Sequence, residues 1–452
     1  MLISLILIQQ RLTDLNLKFL NMAQKRAKSA SHHGKKKKVE LNICEAKPLC
    51  KLIKNEEPND DPSGIEIKKE VDDQKEEIKL FGSQQLMGGD CRTLNEEDVD
   101  KMAWKKLVCT RADLRLDIVL KCGQSFRWKT PFDQKPDEFV GVLGSKIWIL
   151  KQEPEHILYK TIGKIKTENV RDGSSQANRL KEDVEDEQYL HDYFQLGVNL
   201  GPLYESWATV DPVFKDISKR FTGVRMLRQD PVENIFSFIC SSNNNIQRIS
   251  GMIENLCIRY GEKIASIHTG DRSHRNTIDY YTFPSLESLC DSSQIGSNGM
   301  DLEQTLRSLS FGYRASYIAK TAKQIAQAGG YEYLLRLRSL PYDEAKEELL
   351  KLTGIGPKVS DCILLMSLDK PESIPVDTHM FQIAAKKYLP HLRGRKTVTD
   401  KIYKEISNHF KGLYGDYAGW AHSVLFSADL RHLQGVEWPD KSQINSSNKN
   451  SR

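Results

Sequence analysis

The spacing of apolar residues changes near Gly201, and this change limits the fold more than any other feature of the chain. Apolar residues alternate with polar or charged ones over 114–120, and residues 139–150 predict two short strands around Gly144-Ser145. After Gly201 the apolar residues recur at helical spacing. The pattern predicts an α+β fold, in which an antiparallel β-rich domain precedes a mainly α-helical region.

Helix signals are strongest in the second region. Asp230 is placed to cap a helix, and Pro231 suits its first position. Glu233 is placed to close a capping box. Further helices are predicted at 246–260, 302–309, 315–329, 343–352, 358–368, 377–388, 398–411 and 416–430. Residues 163–186 predict a loop.

The ends of the chain differ from the middle in composition. Residues 1–100 contain a basic run that ends in four lysines, 35–38, and an acidic stretch, so they predict a disordered arm. The β-rich domain is predicted at 101–210, the helical region at 211–436 and a disordered tail at 437–452. The basic run indicates a nuclear signal or a DNA-binding arm, and a solvated charge run explains it equally well.

Cysteine and charge content narrow the class of protein. The 9 cysteines include no C-x-x-C pair, which disfavours zinc fingers and secreted disulfide scaffolds. The net charge of only +5 does not identify a nucleic-acid binder by itself. The apolar run at 1–8 is far shorter than the ~20 residues that span a bilayer. We expect a nuclear protein without a membrane segment. A mitochondrial pool is the alternative, because Arg11 and Lys18 occur in a stretch nearly free of acids.

A tight turn in the helical region is a candidate for phosphate binding. Gly354 and Gly356 form a G-x-G turn between an amphipathic helix and an apolar helix. Such a helix-hairpin-helix points the N–H groups of its second helix outward, where the helix dipole favours an anion. Because a G-x-G turn is common, a simple reversal of the chain is the alternative.

Lys358 and Asp377 are the candidates for chemistry. Lys358 begins the apolar helix, where a cation opposes the dipole, so a purely structural reason for it is poor. Its amine is a candidate nucleophile, with phosphate contact as the alternative. Asp377 precedes another predicted helix, where a carboxylate commonly acts as a cap. A cap and a catalytic carboxylate are compatible roles.

Together these residues resemble the helix-hairpin-helix DNA glycosylases, whose signature is the hairpin, a Lys just after it and an Asp about one helix later. Over residues 104–431 the chain is similar to the eukaryotic 8-oxoguanine DNA glycosylases. The similar segments are GQSFRW at 123–128, VRMLRQDP at 224–231, FSFICSSNNN at 236–245, GYRA at 312–315 and AGWA at 418–421. No cysteine follows Cys362, so the iron–sulfur cluster of the endonuclease III and adenine glycosylase branches is absent.

The resemblance implies a bifunctional glycosylase and AP lyase that removes 8-oxoguanine opposite cytosine from double-stranded DNA. Lys358 would attack the sugar and form a Schiff base that leads to β-elimination, and Asp377 would stabilise charge on the sugar. The other implied substrate contacts are Gly123, Cys362, Met366, His379, His422 and Phe426. The implied DNA contacts are Asn243, Arg248, Tyr313, Arg314, Gly354 and Gly356.

No cofactor is required by this chemistry, and we expect a monomer. The resemblance also implies that the carbonyls of Leu350, Leu352 and Ile355 can hold a monovalent or calcium ion.

His422 departs from the family, which commonly has Gln there to read the edge of the flipped base. With an ordinary histidine pKa of ~6.5, lesion affinity should weaken below about pH 6. A glycosylase for another oxidised purine and a non-catalytic damage-binding protein are the alternatives.

Overall fold

The computed structural model describes residues 92–132, 135–163, 175–270, 276–291, 300–430 and Leu433. The predicted tail and residues 1–91 of the predicted arm lie outside these described residues. The last part of the predicted arm is folded: Arg92–Asn95 form strand β1, and Glu96–Lys101 form helix α1. The predicted boundary at residue 100 is therefore wrong, because strand pairing holds the segment before it.

A four-stranded antiparallel sheet forms most of the β-rich domain. Its strands are β2 (Lys105–Val108), β3 (Glu138–Leu143), β4 (Lys146–Gln152) and β5 (His156–Gly163). Their order across the sheet is β2-β5-β4-β3. The turn between β3 and β4 includes Gly144 at a φ of 57°, a conformation that suits glycine. The predicted hairpin is confirmed.

A second, three-stranded sheet combines distant parts of the chain. Strand β6 (Lys263–Thr269) pairs in parallel with β1 and antiparallel with β7 (Asn276–Tyr281). Buried residues of both sheets, including Ile147 and Ile267, form one apolar cluster. The β structure is therefore not confined to 101–210, since β6 and β7 lie inside the region predicted to be helical.

Two local predictions are wrong in this part of the chain. Residues 114–120 contain the one-turn helix α2 (Leu116–Val119) instead of a strand. Their apolar side chains alternate because the segment lies between two clusters, with Ile118 in one and Leu114 in the other. Helix α3 (Ser175–Tyr193) replaces the described part of the loop predicted after β5.

The remaining helices build the helical region. They are α4 (Leu200–Val210), α5 (Pro212–Ser218), α6 (Pro231–Cys240), α7 (Ile246–Tyr260), α8 (Leu286–Cys290), α9 (Leu302–Ser308), α10 (Arg314–Ala328), α11 (Gly330–Ser339), α12 (Tyr342–Leu350), α13 (Pro357–Ser367), α14 (Thr378–Ile383), α15 (Asp400–Tyr414) and α16 (Ala418–Asp429). A π-helical turn, Ala384–Tyr388, follows α14. None of the described helices is long and apolar enough to cross a membrane.

Helices α6 and α13 pack against each other and carry much of the candidate site. The α6 N-terminus is capped as predicted, because the Asp230 carboxylate accepts a hydrogen bond from the Glu233 N–H at 3.0 Å. The Glu233 side chain does not close the predicted capping box. Its carboxylate instead pairs with Arg127 at 3.2 Å. All residues of α6 except Glu233 are buried, so this helix gives α13 a rigid surface to pack against.

Candidate active site

The predicted hairpin joins α12 to α13. Gly354 has a φ of 82°, and a Cβ there would lie 2.6 Å from the Tyr317 ring, so glycine is required. The Thr321 hydroxyl of α10 donates to the Thr353 carbonyl at 2.5 Å, which holds the turn in place. Gly356 is exposed and occupies the N-cap position of α13 in an extended conformation. The second helix therefore starts from a fixed, exposed backbone.

Lys358 is half-buried in the first turn of α13. Its Nζ donates to the Ser241 hydroxyl at 3.3 Å and lies 5.0 Å from the centre of the Phe238 ring. Phe238 belongs to α6, and Ser241 is the C-cap of that helix. The packing of α6 on α13 thus positions the amine against an uncharged hydroxyl and an aromatic face.

Asp377 caps α14, with its Oδ1 accepting a hydrogen bond from the Met380 N–H at 2.8 Å. Cys362 follows Lys358 by one helical turn on α13 and is 3% exposed. Burial raises the pKa of the Cys362 thiol to about 11, while the Lys358 amine opposes this rise and the Asp377 carboxylate adds to it. The charges of Lys358 and Asp377 therefore both act on the Cys362 thiol.

His422, on α16, is a buried imidazole beside the same residues. Its side chain is 5% exposed, and neither ring nitrogen makes a hydrogen bond of ordinary geometry within the described residues, although the Pro375 backbone is near enough to favour the protonated ring. Burial lowers the pKa of His422 from 6.5 to about 4; the Asp377 carboxylate opposes this effect and the Lys358 amine adds to it. The ring is therefore neutral at neutral pH. We therefore expect any loss of lesion affinity that depends on protonation of this ring below pH 6 and not near it.

The half-buried Phe426 ring is stacked on His422, with 6.2 Å between centroids and 19° between planes. His379 meets the same ring edge-on at 5.9 Å. His379 is exposed, and its Nδ1 lies 3.4 Å from a carboxylate oxygen of Asp429. His422 therefore contacts the Phe426 ring and is also influenced by the charges of Asp377 and Lys358. Met366 is 8% exposed on α13 and follows Cys362 by four residues.

Gly123 lies in a loop that is tied to α13. Its φ of 85° suits glycine. The buried Gln124 side chain accepts from the Leu227 N–H at 2.9 Å. Gln229 links this loop to the helix, because its side chain donates to the Gln124 carbonyl at 2.9 Å and its N–H donates to the Met366 carbonyl at 2.8 Å. The sequence reasoning missed both glutamines, although the GQSFRW and VRMLRQDP segments contain them.

The loop after α6 brings together three of the predicted DNA contacts. Asn243 is exposed with a φ of 47°. The Arg314 guanidinium, on a side chain that is 3% exposed, donates to the carbonyls of Ser242 and Asn243, the latter at 3.0 Å. The Tyr313 hydroxyl donates to the Ser242 carbonyl at 3.0 Å. Arg248 is exposed on α7. Arg314 therefore supports the loop, and its contact with cytosine stays a prediction.

The carbonyls predicted to hold an ion belong to the hairpin. The Leu352 carbonyl accepts from the Ile355 N–H at 3.2 Å, so one of its lone pairs remains for a cation. Within the described residues there is no group of three or more His, Cys, Asp or Glu side chains that could hold a metal. An ion here would depend on the carbonyls of Leu350, Leu352 and Ile355, which are the hard oxygen donors that such cations prefer.

A helix-hairpin-helix with a lysine in the first turn of its second helix and a capping aspartate beside it defines a DNA glycosylase of the helix-hairpin-helix class. Residues 106–235 match the protein-family model described as 8-oxoguanine DNA glycosylase, N-terminal domain. The model of the HhH-GPD superfamily of base excision DNA repair proteins matches residues 236–409. The chain belongs to the 8-oxoguanine DNA glycosylase family and is a DNA repair N-glycosylase with DNA lyase activity.

Relatives and solved structures agree with this assignment. The N-glycosylase/DNA lyase OGG1 of Arabidopsis thaliana is 35% identical over 329 residues, 72% of this chain and 80% of the relative. An N-glycosylase/DNA lyase of Saccharomyces cerevisiae is 33% identical over 360 residues, 73% of this chain and 87% of the relative. The Clostridium acetobutylicum 8-oxoguanine glycosylase/lyase, in complex with DNA containing cytosine opposite 8-oxoG, is 26% identical with a TM-score of 0.54, covering 70% of this chain and 91% of that one.

Proposed function

We propose that this enzyme excises 8-oxoguanine paired with cytosine and then cleaves the strand through a Schiff base on Lys358. The observation that carries this proposal is that an amine and a carboxylate on two different helices act on the same two buried side chains. Lys358 and Asp377 both act on the Cys362 thiol, and both act on the His422 ring. The names of the relatives and of the solved structures support the same lesion and the same duplex substrate.

The proposed reaction begins with an unprotonated Lys358 amine. Its Nζ forms a bond to C1′ of the sugar as the glycosidic C–N bond breaks, and the base departs with the bonding electrons and takes up a proton. Opening of the sugar ring gives an imine between Nζ and C1′. Loss of a proton from C2′ then expels the 3′ phosphate by β-elimination. Asp377 stabilises the positive charge that develops on the sugar.

The flipped base would occupy the pocket beside these groups, since an enzyme cannot reach the sugar bond of a stacked base. Cys362 and Met366 would cover one face of the base and Phe426 the other. The Gly123 carbonyl would accept from N7–H, which 8-oxoguanine has and guanine lacks. A neutral His422 ring has one unprotonated nitrogen that can accept a hydrogen bond from the base edge, and the burial that keeps the ring neutral supports this role.

The duplex would lie across the surface that carries the exposed hairpin and loop. The N–H groups at Gly354 and Gly356 would bind phosphate at the start of α13, and His379 would contact the phosphate of the lesion. Asn243 would fill the gap left by the base, with Tyr313 as a wedge. Arg248 and Arg314 would read the orphaned cytosine, for which Arg314 must exchange its loop carbonyls for the base.

We further propose that the enzyme is a nuclear monomer with a mitochondrial pool, and that any ion at the hairpin is structural. The basic run at 35–38 supports the nuclear location.

A different oxidised purine is the second candidate substrate, because His422 replaces the amide that the family commonly uses on the base edge. Paired substrates that differ only in the lesion distinguish the two candidates.

Borohydride trapping on a duplex with one 8-oxoguanine opposite cytosine tests this proposal. We expect the wild-type protein to be trapped and Lys358→Gln to give no adduct, because an amide cannot form an imine. The variant should keep its lesion-duplex affinity, which separates lost chemistry from lost binding. Matched duplexes with adenine opposite the lesion, or with unmodified guanine, test the selectivity. Trapping of the variant would remove Lys358 from the nucleophile role.

A further inference from the structure

Helix α13 also carries Asp361, which is the centre of a cluster of buried polar groups. This residue is 0% exposed, and its carboxylate accepts from the Tyr342 hydroxyl at 2.6 Å, the Lys346 amine at 2.7 Å and the Ser373 hydroxyl at 2.9 Å. The Tyr403 hydroxyl of α15 completes this set of donors. We call these residues the Asp361 cluster. A buried carboxylate with this many donors is fixed in position.

Within the Asp361 cluster, Tyr403 contacts both of the segments that carry the proposed catalytic groups. Its hydroxyl oxygen lies 3.2 Å from the carbonyl of Pro357, the residue before Lys358. The same oxygen accepts from the N–H of Val376, the residue before Asp377, at 3.3 Å. A tyrosine hydroxyl has one proton to donate, and the Asp361 carboxylate on α13 is its charged acceptor. Tyr403 therefore bridges α13 and the segment that enters α14.

We propose that Tyr403 is a positioning residue that sets the distance between the Lys358 amine and the Asp377 carboxylate. Lys358 and Asp377 lie on two separate chain segments, and the Tyr403 hydroxyl is bonded to both. Ser373 forms a second tie between the same segments, because its hydroxyl also lies 3.0 Å from the Asp361 carbonyl. Burial raises the pKa of Tyr403, and the nearby Asp361 charge adds to this, so the hydroxyl keeps the proton that it donates.

The variant that tests this inference is Tyr403→Phe, which keeps the ring and removes only the hydroxyl. Because misplacement of reacting groups by about 1 Å can cost ~10²-fold, we expect the single-turnover excision rate to fall by about tenfold or more. Lesion-duplex affinity should stay within about twofold, since the base and phosphate contacts are untouched. A loss of rate without a loss of affinity is what a purely structural role would not produce.

The chain offers a matched control on the same helix. The Tyr414 hydroxyl donates to the buried Asp211 carboxylate, away from α13, and Tyr414 is 6% exposed against 8% for Tyr403. Tyr414→Phe should therefore lower the melting temperature in the same way but leave the excision rate unchanged. Both variants are measured well below their melting temperatures. If Tyr403→Phe does not fold, Ser373→Ala removes the other tie and should also slow excision.

The inference rests on the proposed function, and its failure can be told apart from that of the proposal. Excision at the wild-type rate by Tyr403→Phe, or equal slowing by Tyr414→Phe, would overturn the positioning role alone. A borohydride adduct that persists in Lys358→Gln would overturn the proposed function instead. Slower excision with unchanged affinity in Tyr403→Phe, together with a normal rate in Tyr414→Phe, is the result that supports the positioning role.

Discussion

The buried imidazole of His422 gives this protein a pH-dependent stability that His422→Gln should remove. The ring is 5% exposed, and burial lowers its pKa from 6.5 to about 4. In the unfolded chain the ring is hydrated and keeps an ordinary pKa near ~6.5. Between these two values the unfolded state binds a proton that the folded state does not. Stability therefore falls as the pH drops from about 6.5 towards 4.

The size of this effect follows from the shift in the pKa of His422. A shift of this extent corresponds to about 3 kcal/mol in the free energy of unfolding, at ~1.4 kcal/mol per pH unit. About 2 kcal/mol of it is already lost at pH 5, and almost none at pH 7.5. Glutamine does not titrate, so its variant does not lose this stability. As the pH falls from 7.5 to 5, the free energy of unfolding of His422→Gln should therefore rise by about 2 kcal/mol relative to that of wild type.

Urea unfolding at several pH values between 7.5 and 5 measures this difference directly. His191→Gln is the control, because it removes an exposed imidazole of α3 and leaves the buried ring in place. Titrating groups distant from the substituted residue are shared, so they cancel in the comparison of wild type with each variant. A constant difference between wild type and His422→Gln across the pH range would refute the burial of a neutral ring.

The same pKa changes what is expected of lesion binding. In the Lys358→Gln background, affinity for the 8-oxoguanine duplex should stay level from pH 7.5 to about 5.5, because the His422 ring remains neutral. Protonation should weaken binding only closer to pH 4, since the charged ring has no acceptor left for the base. A midpoint near pH 6 that is absent from His422→Gln would mean that the ring is hydrated in the complex.

Two further changes test the carboxylate and the arm. Asp377→Asn should slow single-turnover excision by about 10²-fold or more while it keeps lesion affinity, because Asn still caps a helix but carries no charge; near-normal excision would leave Asp377 as a cap only. Deletion of residues 1–91 should retain excision on short duplexes and weaken non-specific binding at low salt, because the lysines at 35–38 are lost. Binding that is equally dependent on salt before and after the deletion would exclude a DNA role for the arm.

Much of the helical region could be predicted because its signals are local. Asp230 and Pro231 mark the start of α6, and Gly354 is required by the backbone of the turn. The shared face of Lys358 and Cys362 follows from helical spacing alone. In each case the residue lies within one or two helical turns of the structure that it determines, so the local sequence is enough to predict that structure.

Features that depend on distant contacts could not be predicted in this way. Strand β1 has four residues, Arg92–Asn95, and exists because it pairs with β6, far along the chain. The segment around Leu116 alternates like a strand because clusters on both sides bury it. The Asp361 cluster joins Tyr403 to residues from three other parts of the chain, and no spacing rule connects them. Burial of His422 likewise comes from packing.

The neutrality of His422 also explains how the proposed site can tolerate a histidine there. An imidazole with an ordinary pKa beside Asp377 would be protonated in part at neutral pH and would form an ion pair with the carboxylate. That pair would oppose the role that the proposed reaction gives to Asp377, which is to stabilise positive charge on the sugar. Burial instead lowers the pKa of His422 to about 4, despite the opposing effect of Asp377. Under neutral conditions the ring is therefore uncharged, as a glutamine amide would be, and does not form that ion pair.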